Sequence, residues 1–328
     1  MPHTQHSKLP INAGNEIRRT EPKTEVDGSG FDFFNSFDGV KIRYGLWTVK
    51  SAVGTVVILG GRTEFTEKFY EDMHNWQARG YNVAAMDWRG QGLSHRELAD
   101  KGGNNRERHY LNSFDDLIKD LNCFFDQILI PCSPKPHILM GHSQGGHSIL
   151  RFLHDHGDKV DKAIVMSPMV DIHMPKPEAM VMALPKFMQA IGQDHRYVPG
   201  HKAFKDGRWG WRKKLTNDDD RFCDEDWFIK HKDRDLAVGG VTFRWLLEAK
   251  KSIKTLNSAG YPEAITTPIL MFQAGDDEIV DNKAQTRLAK RLPNVGLIRI
   301  SGAKHELLKE TDDVREKVWQ AIDHFMTV

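Results

Sequence analysis
The stretch Gly141-His142-Ser143-Gln144-Gly145 sets a serine between two glycines, after the apolar run 138–140 and before a helix-prone segment. A serine hydroxyl is a weak nucleophile at neutral pH until a base takes its proton. A tight strand–turn–helix corner, which the flanking glycines permit, would lift that hydroxyl to the carboxyl edge of a sheet. An ordinary Gly-rich turn is the bland alternative. The base is sought among 16 histidines, and His305 stands out because it follows the last apolar run, in Ser301-Gly302-Ala303-Lys304-His305-Glu306. The acid that orients it is expected after the preceding run, where Asp276, Asp277 and Glu278 lie side by side. Asp277 is the choice and Asp276 the alternative. Acyl transfer also needs N–H donors aimed at a developing oxyanion. The backbone amides of Gln144 and of Arg62, which follows Gly60-Gly61, are the candidates.

The elements that must position these groups alternate. Two β-prone runs within 31–49 flank Asp38-Gly39, a hairpin signal. Apolar runs at 55–61, 82–88, 137–143, 162–169, 268–275 and 295–302 read as strands, and helix patterns fall at 67–80, 114–128, 145–157 and 314–328. Strands alternating with helices predict an α/β fold with a mainly parallel sheet covered on both faces. Residues 1–28 are polar and without period, and are expected to be a flexible lead-in to a domain spanning 29–328. From about 171 to 262 the rhythm breaks, and an inserted helical cap is expected there.

The cap offers Met174, Met180, Met182, Leu184, Phe187 and Met188, an adaptable apolar set suited to an acyl chain or to packing on the core. Met174, Met182 and Phe187 are taken as candidate substrate contacts. So are Trp209 and Trp211, which sit among six Lys/Arg within 201–214; that mixture suits an anionic membrane surface or a lipid phosphate, or forms a solvated face. Residues 87–94 are Gly-rich after a strand but carry neither nucleotide-loop pattern, so they are expected to brace the active edge. Asp218-Asp219-Asp220 reads as a solvated loop, and the sequence holds no HExxH metal motif. The 328 residues carry 46 Lys+Arg against 45 Asp+Glu, which gives no general reason to bind nucleic acid. Three cysteines without a CxxC pair and a polar start fit a reducing, cytoplasmic setting. No run approaches the roughly 18 apolar residues of a membrane helix.

The segments Gly-His-Ser-Gln-Gly-Gly at 141–146, Asp87-Trp88-Arg89-Gly90-Gln91-Gly92-Leu93-Ser94, Ser167-Pro168-Met169 and Gly302-Ala303-Lys304-His305-Glu306 together resemble the lysophospholipase L2 and monoacylglycerol lipase branch of the α/β-hydrolases. Gly239-Gly240-Val241-Thr242-Phe243-Arg244-Trp245 resembles the lysophospholipase L2 side. The chain order Ser, Asp, His agrees. The resemblance implies a Ser143–His305–Asp277 triad, a mobile cap, single-acyl lipid esters as substrates and no cofactor. One departure is Gly60-Gly61 where the family often has His-Gly; the donor is a backbone group, so the oxyanion hole is expected to survive with an altered shape. Two rivals share the fold: a proline iminopeptidase-type peptidase, which needs a carboxylate for the substrate amine, and a non-catalytic ligand-binding protein.

Overall fold
The computed structural model describes residues 22–23, 25–27, 30–99, 105–174, 177–205 and 213–327. Eight strands form one sheet: β1 (Phe31–Asn35), β2 (Lys41–Trp47), β3 (Thr55–Leu59), β4 (Asn82–Met86), β5 (His137–His142), β6 (Lys162–Met166), β7 (Ile269–Ala274) and β8 (Val295–Ile300). Their order is β1-β2-β4-β3-β5-β6-β7-β8. The β1–β2 hairpin and the β2–β4 pair are antiparallel, and every other pair is parallel. Gly39 turns the hairpin at φ 82°.

The central strands are apolar throughout because both faces are covered. Val57, Leu59, Leu139, Val165 and Met271 point to one core, with the helices Phe114–Phe124 and Gln144–His156. The alternate residues Val56, Ile58, Ile138, Ile164 and Phe272 point to the other, with Tyr70–Ala78 and Asp312–Thr327. Ser113 caps the helix Phe114–Phe124 by accepting from Asp115 N. That helix then runs into a wider turn at Phe125–Leu129, so the expected element 114–128 is continuous but not uniform.

Between β6 and β7 the described residues include helices at Glu178–Val181, Ala183–Ala190, Asp219–Phe222, Asp224–His231 and Phe243–Leu256, joined by loops with isolated bridges such as Tyr197 to Thr242. The last of these carries Trp245, Ala249, Ile253 and Leu256 into the first core, so part of the insert belongs to the body. Asp218, expected in a solvated loop, accepts from Arg221 N and caps Asp219–Phe222. In the expected lead-in, Val26 is buried against the second core. The carbonyls of Glu25 and Asp27 accept from His74 and Gln77. Residues 25–27 therefore dock on the helix Tyr70–Ala78, a contact that one valine in a polar stretch does not announce. Residues 1–21 lie outside the described residues.

Gly145 shows how closely the sheet edge and the next helix approach: a Cβ there would run into the carbonyl oxygens of Leu59 and Gly60. Both are backbone atoms and cannot swing away. Gly145→Ala is expected to destabilise the fold by about 1–3 kcal/mol, the cost of overpacking a tight interior; urea unfolding measures it, and an unchanged midpoint would contradict this packing.

Candidate active site
Ser143 lies at the corner between β5 and the helix Gln144–His156, with φ 50° and ψ −111°. This left-handed backbone is unusual for a residue with a side chain. Hydrogen bonds on both sides hold it: Ser143 N donates to Met166 O at 2.9 Å, and Ser143 O accepts from His147 N and Met169 N, each at 3.0 Å. Gln144 opens the helix, so its N–H has no partner within it.

His305 Nε2 is 2.9 Å from Ser143 Oγ, and His305 Nδ1 is 2.7 Å from Asp277 Oδ2. Asp277 Oδ1 accepts from the amides of Ile279 (2.8 Å) and Val280 (3.1 Å). Burial raises the Asp277 carboxyl, but the His305 ring and these two amides outweigh it and hold the group below its ordinary value. An ionised Asp277 accepts a hydrogen bond from Nδ1–H of His305 and holds the proton on that nitrogen, which leaves Nε2 to accept from the serine hydroxyl. Asp276, the alternative acid, is exposed. The structure thus brings Ser143, His305 and Asp277 into one chain of contacts.

The loop after β3 is held over this corner by residues 87–94. Gln91 Oε1 accepts from Thr63 N at 2.7 Å, and its Nε2 donates to Gly61 O at 2.9 Å. Trp88 Nε1 donates to Gly60 O at 2.9 Å, and Asp87 Oδ1 accepts from Thr66 N and Oγ1. Gly61 must be small, since a Cβ would lie 3.0 Å from His142 Nδ1 and 3.1 Å from Ser143 Cβ. Arg62 follows it and borders the same cavity as Ser143.

Behind this loop is a buried ionic group that the sequence reading missed. Lys68 Nζ lies 2.9 Å from Glu64, 3.0 Å from Glu306 and 3.4 Å from Glu225. Burial pushes the lysine down, but the three carboxylates outweigh it and hold its pKa well above the ordinary value. The i,i+4 pair Glu64 and Lys68, directly after a buried strand, was the available signal.

A cavity of ≈ 280 Å³ opens on Ser143 and His305. Phe204, Leu215, Val238 and Ile279 supply apolar wall, and Arg62, Lys202 and Lys205 also line it. None of Met174, Met182 and Phe187 lines this cavity. Met182 is buried at the start of Ala183–Ala190, Met174 is half-buried, and Phe187 projects outward. They were grouped by apolarity, which does not specify the side of a helix. Trp209 and Trp211 lie outside the described residues.

The strand order, the serine at the β5 corner and the histidine after β8 define an α/β-hydrolase. The family described as serine aminopeptidase, S33 matches residues 50–312, and the chain belongs to it. It is 32% identical over 286 residues to the probable lysophospholipase L2 of Haemophilus influenzae, covering 85% of this chain and 86% of that protein. It is 28% identical over 309 residues to lysophospholipase L2 of Escherichia coli K12, covering 89% and 86%. A soluble variant of monoglyceride lipase from Saccharomyces cerevisiae, solved with a substrate analog, superposes with a TM-score of 0.71 over 93% of this chain and 98% of that one at 20% identity.

Gln91 satisfies two backbone groups of the loop after β3 at once. Gln91→Ala is expected to cost about 1–3 kcal/mol by leaving Thr63 N–H and Gly61 C=O without those partners, read by denaturant unfolding; a change under 0.5 kcal/mol would mean the loop is held elsewhere.

Proposed function
We propose that this chain is a serine hydrolase of single-acyl lipid esters that works through an acyl-enzyme on Ser143. The observation that carries the reading is the Ser143 Oγ–His305 Nε2–Asp277 relay at the floor of a partly apolar cavity. The named relatives support a carboxylic ester hydrolase. Ser143 Oγ attacks the ester carbonyl carbon as its proton passes to His305 Nε2. The carbonyl oxygen takes the electron pair and is met by the amides of Arg62 and Gln144. When the tetrahedral adduct collapses, the bond to the alcohol oxygen breaks and His305 protonates the departing alkoxide. Water then gives a proton to His305 and attacks the acyl carbon, and Ser143 leaves with that proton.

Within single-acyl esters, the wall favours lysophospholipid over monoacylglycerol, because Arg62, Lys202 and Lys205 suit a phosphate. A peptidase would need a carboxylate for the substrate amine. Glu225 and Glu306 do line the cavity, but Lys68 engages both.

The insert also supports peripheral contact with an anionic membrane. Met180 on Glu178–Val181, and Leu184, Phe187 and Ile191 along and at the end of Ala183–Ala190, are 74, 43, 59 and 50% exposed, the last three at the 3-4 spacing of one helix face. The charged neighbours within 178–205 are Lys186, Arg196, Lys202 and Lys205 against Glu178 and Asp194, and these acids contact Lys250 and Arg244. An exposed apolar stripe with a basic margin suits an anionic bilayer surface, where such substrates reside. Among the described residues no helix is long and apolar enough to cross a membrane.

Fatty-acid release from lysophosphatidylglycerol, lysophosphatidylcholine and monoacylglycerol, alongside amino-acid anilides, tests the reading. Ser143→Ala is expected to abolish ester turnover, and Asp277→Asn to lower it about 10³–10⁴-fold, with Asp276→Asn near wild type. Turnover confined to anilides would establish the peptidase instead, and faster monoacylglycerol cleavage would reverse the headgroup preference. For the membrane, Leu184→Ser with Ile191→Ser is expected to reduce flotation with phosphatidylglycerol vesicles while leaving hydrolysis of a soluble nitrophenyl ester unchanged. Equal flotation of variant and wild type would remove that surface from the account.

A further inference from the structure
His142, the residue before the nucleophile, has an acceptor at each ring nitrogen. Nδ1 lies 3.0 Å from Glu64 Oε2, and Nε2 lies 3.1 Å from the backbone oxygen of His305. A carbonyl oxygen can only accept, so Nε2 carries a proton. Glu64 already receives Gly61 N–H at Oε2 and the Lys68 ammonium at Oε1. With donors at both oxygens it is ionised and has no proton to offer. A neutral imidazole has one N–H, whereas these two contacts require two.

We propose that His142 is a positioning residue held as an imidazolium, which ties the oxyanion loop, through Glu64, to the backbone of His305. Its two hydrogen bonds then fix the donor loop and the base relative to Ser143, which is its covalent neighbour. This rests on reading Ser143 and His305 as nucleophile and base.

The charge is accommodated locally. Glu64 and Lys68 face the ring from the segment after β3, His305 and Glu306 face it from the loop after β8, and Glu225 of the insert joins through Lys68. Three carboxylates thus stand against Lys68 and His142. Burial lowers the His142 pKa, but the charge and hydrogen bond of Glu64 outweigh it and raise it above the ordinary value, while Glu64 is held well below its own. A raised histidine pKa makes the clamp's contribution complete below the ordinary histidine value and removes it as pH rises through the raised one.

The test combines turnover of a soluble nitrophenyl ester with nitrogen NMR of histidine-labelled protein. His142→Gln, which keeps one donor and no charge, is expected to lower kcat about tenfold or more with KM little changed. The wild type is expected to show a decline of kcat at alkaline pH, which this variant should lack. Glu64→Gln is expected to move that decline to lower pH by about one unit. The NMR spectrum should show both His142 nitrogens protonated at neutral pH. A neutral His142 ring, or an alkaline decline unchanged in either variant, overturns the proposal. If His142→Gln does not fold, Glu64→Gln and the wild-type spectrum decide it. Absence of ester turnover in wild type would count against the proposed function, while the spectrum still judges the imidazolium.

Discussion

The left-handed backbone at Ser143 is the constraint on which the site depends. A residue with a side chain held in so sparsely populated a region costs roughly 1–3 kcal/mol, and the surroundings must over-determine it. They do so through Met166 O on the strand side and His147 N and Met169 N on the other. Ser167, at the end of the adjoining strand, is also left-handed at φ 42°, with its N–H on Phe272 O. Two neighbouring strand ends therefore turn sharply at the same edge. Their turns allow the helix Gln144–His156 to start directly beneath the serine and the loops after β3, β7 and β8 to meet above it.

Close approach has a second consequence, because it leaves backbone groups of the loop after β3 with few routes to water. Gln91, Trp88, Asp87 and Glu64 take up those groups from two directions. Asp87 is in turn held by Arg43, and Arg43 by Glu67, so the bracing continues into a buried ionic layer. A half-satisfied network of this kind would be worse than an apolar one. Its density explains why residues 87–94 look like a ligand-binding loop in sequence yet serve the backbone next door.

What was legible in the sequence was local. The GxSxG corner, the Asp38-Gly39 hairpin and the alternating apolar runs each declare themselves within a dozen residues, and the structure has strands and turns at those places. Asp277 could be preferred to Asp276 but not separated from it, because the difference is which of two adjacent carboxylates faces a histidine 28 positions away. The ionic group around Lys68 was not legible for the same reason: its partners Glu225 and Glu306 are 157 and 238 positions distant. The methionine-rich stretch shows a different limit. Its apolar residues suit either an acyl chain or packing on the core, but apolarity alone cannot say whether a helix face meets an acyl chain, the core or the outside.

The ionic group also bears on substrate class. The family is described as a serine aminopeptidase, while the named relatives are lysophospholipases, and the fold and nucleophile are common ground for both. What separates ester from amine recognition is the sign of the charge presented beside the nucleophile. In this chain Glu225 and Glu306 are at the cavity, and without a counter-ion they would present two negative charges to a substrate amine. Lys68 contacts both, nearly fully buried, and offsets part of that charge from behind while also pairing with Glu64. Arg62, Lys202 and Lys205 then set the balance at the lining toward positive. A single buried lysine, placed by the turn after β3, thereby offsets part of the negative charge that a substrate amine would meet at this cavity.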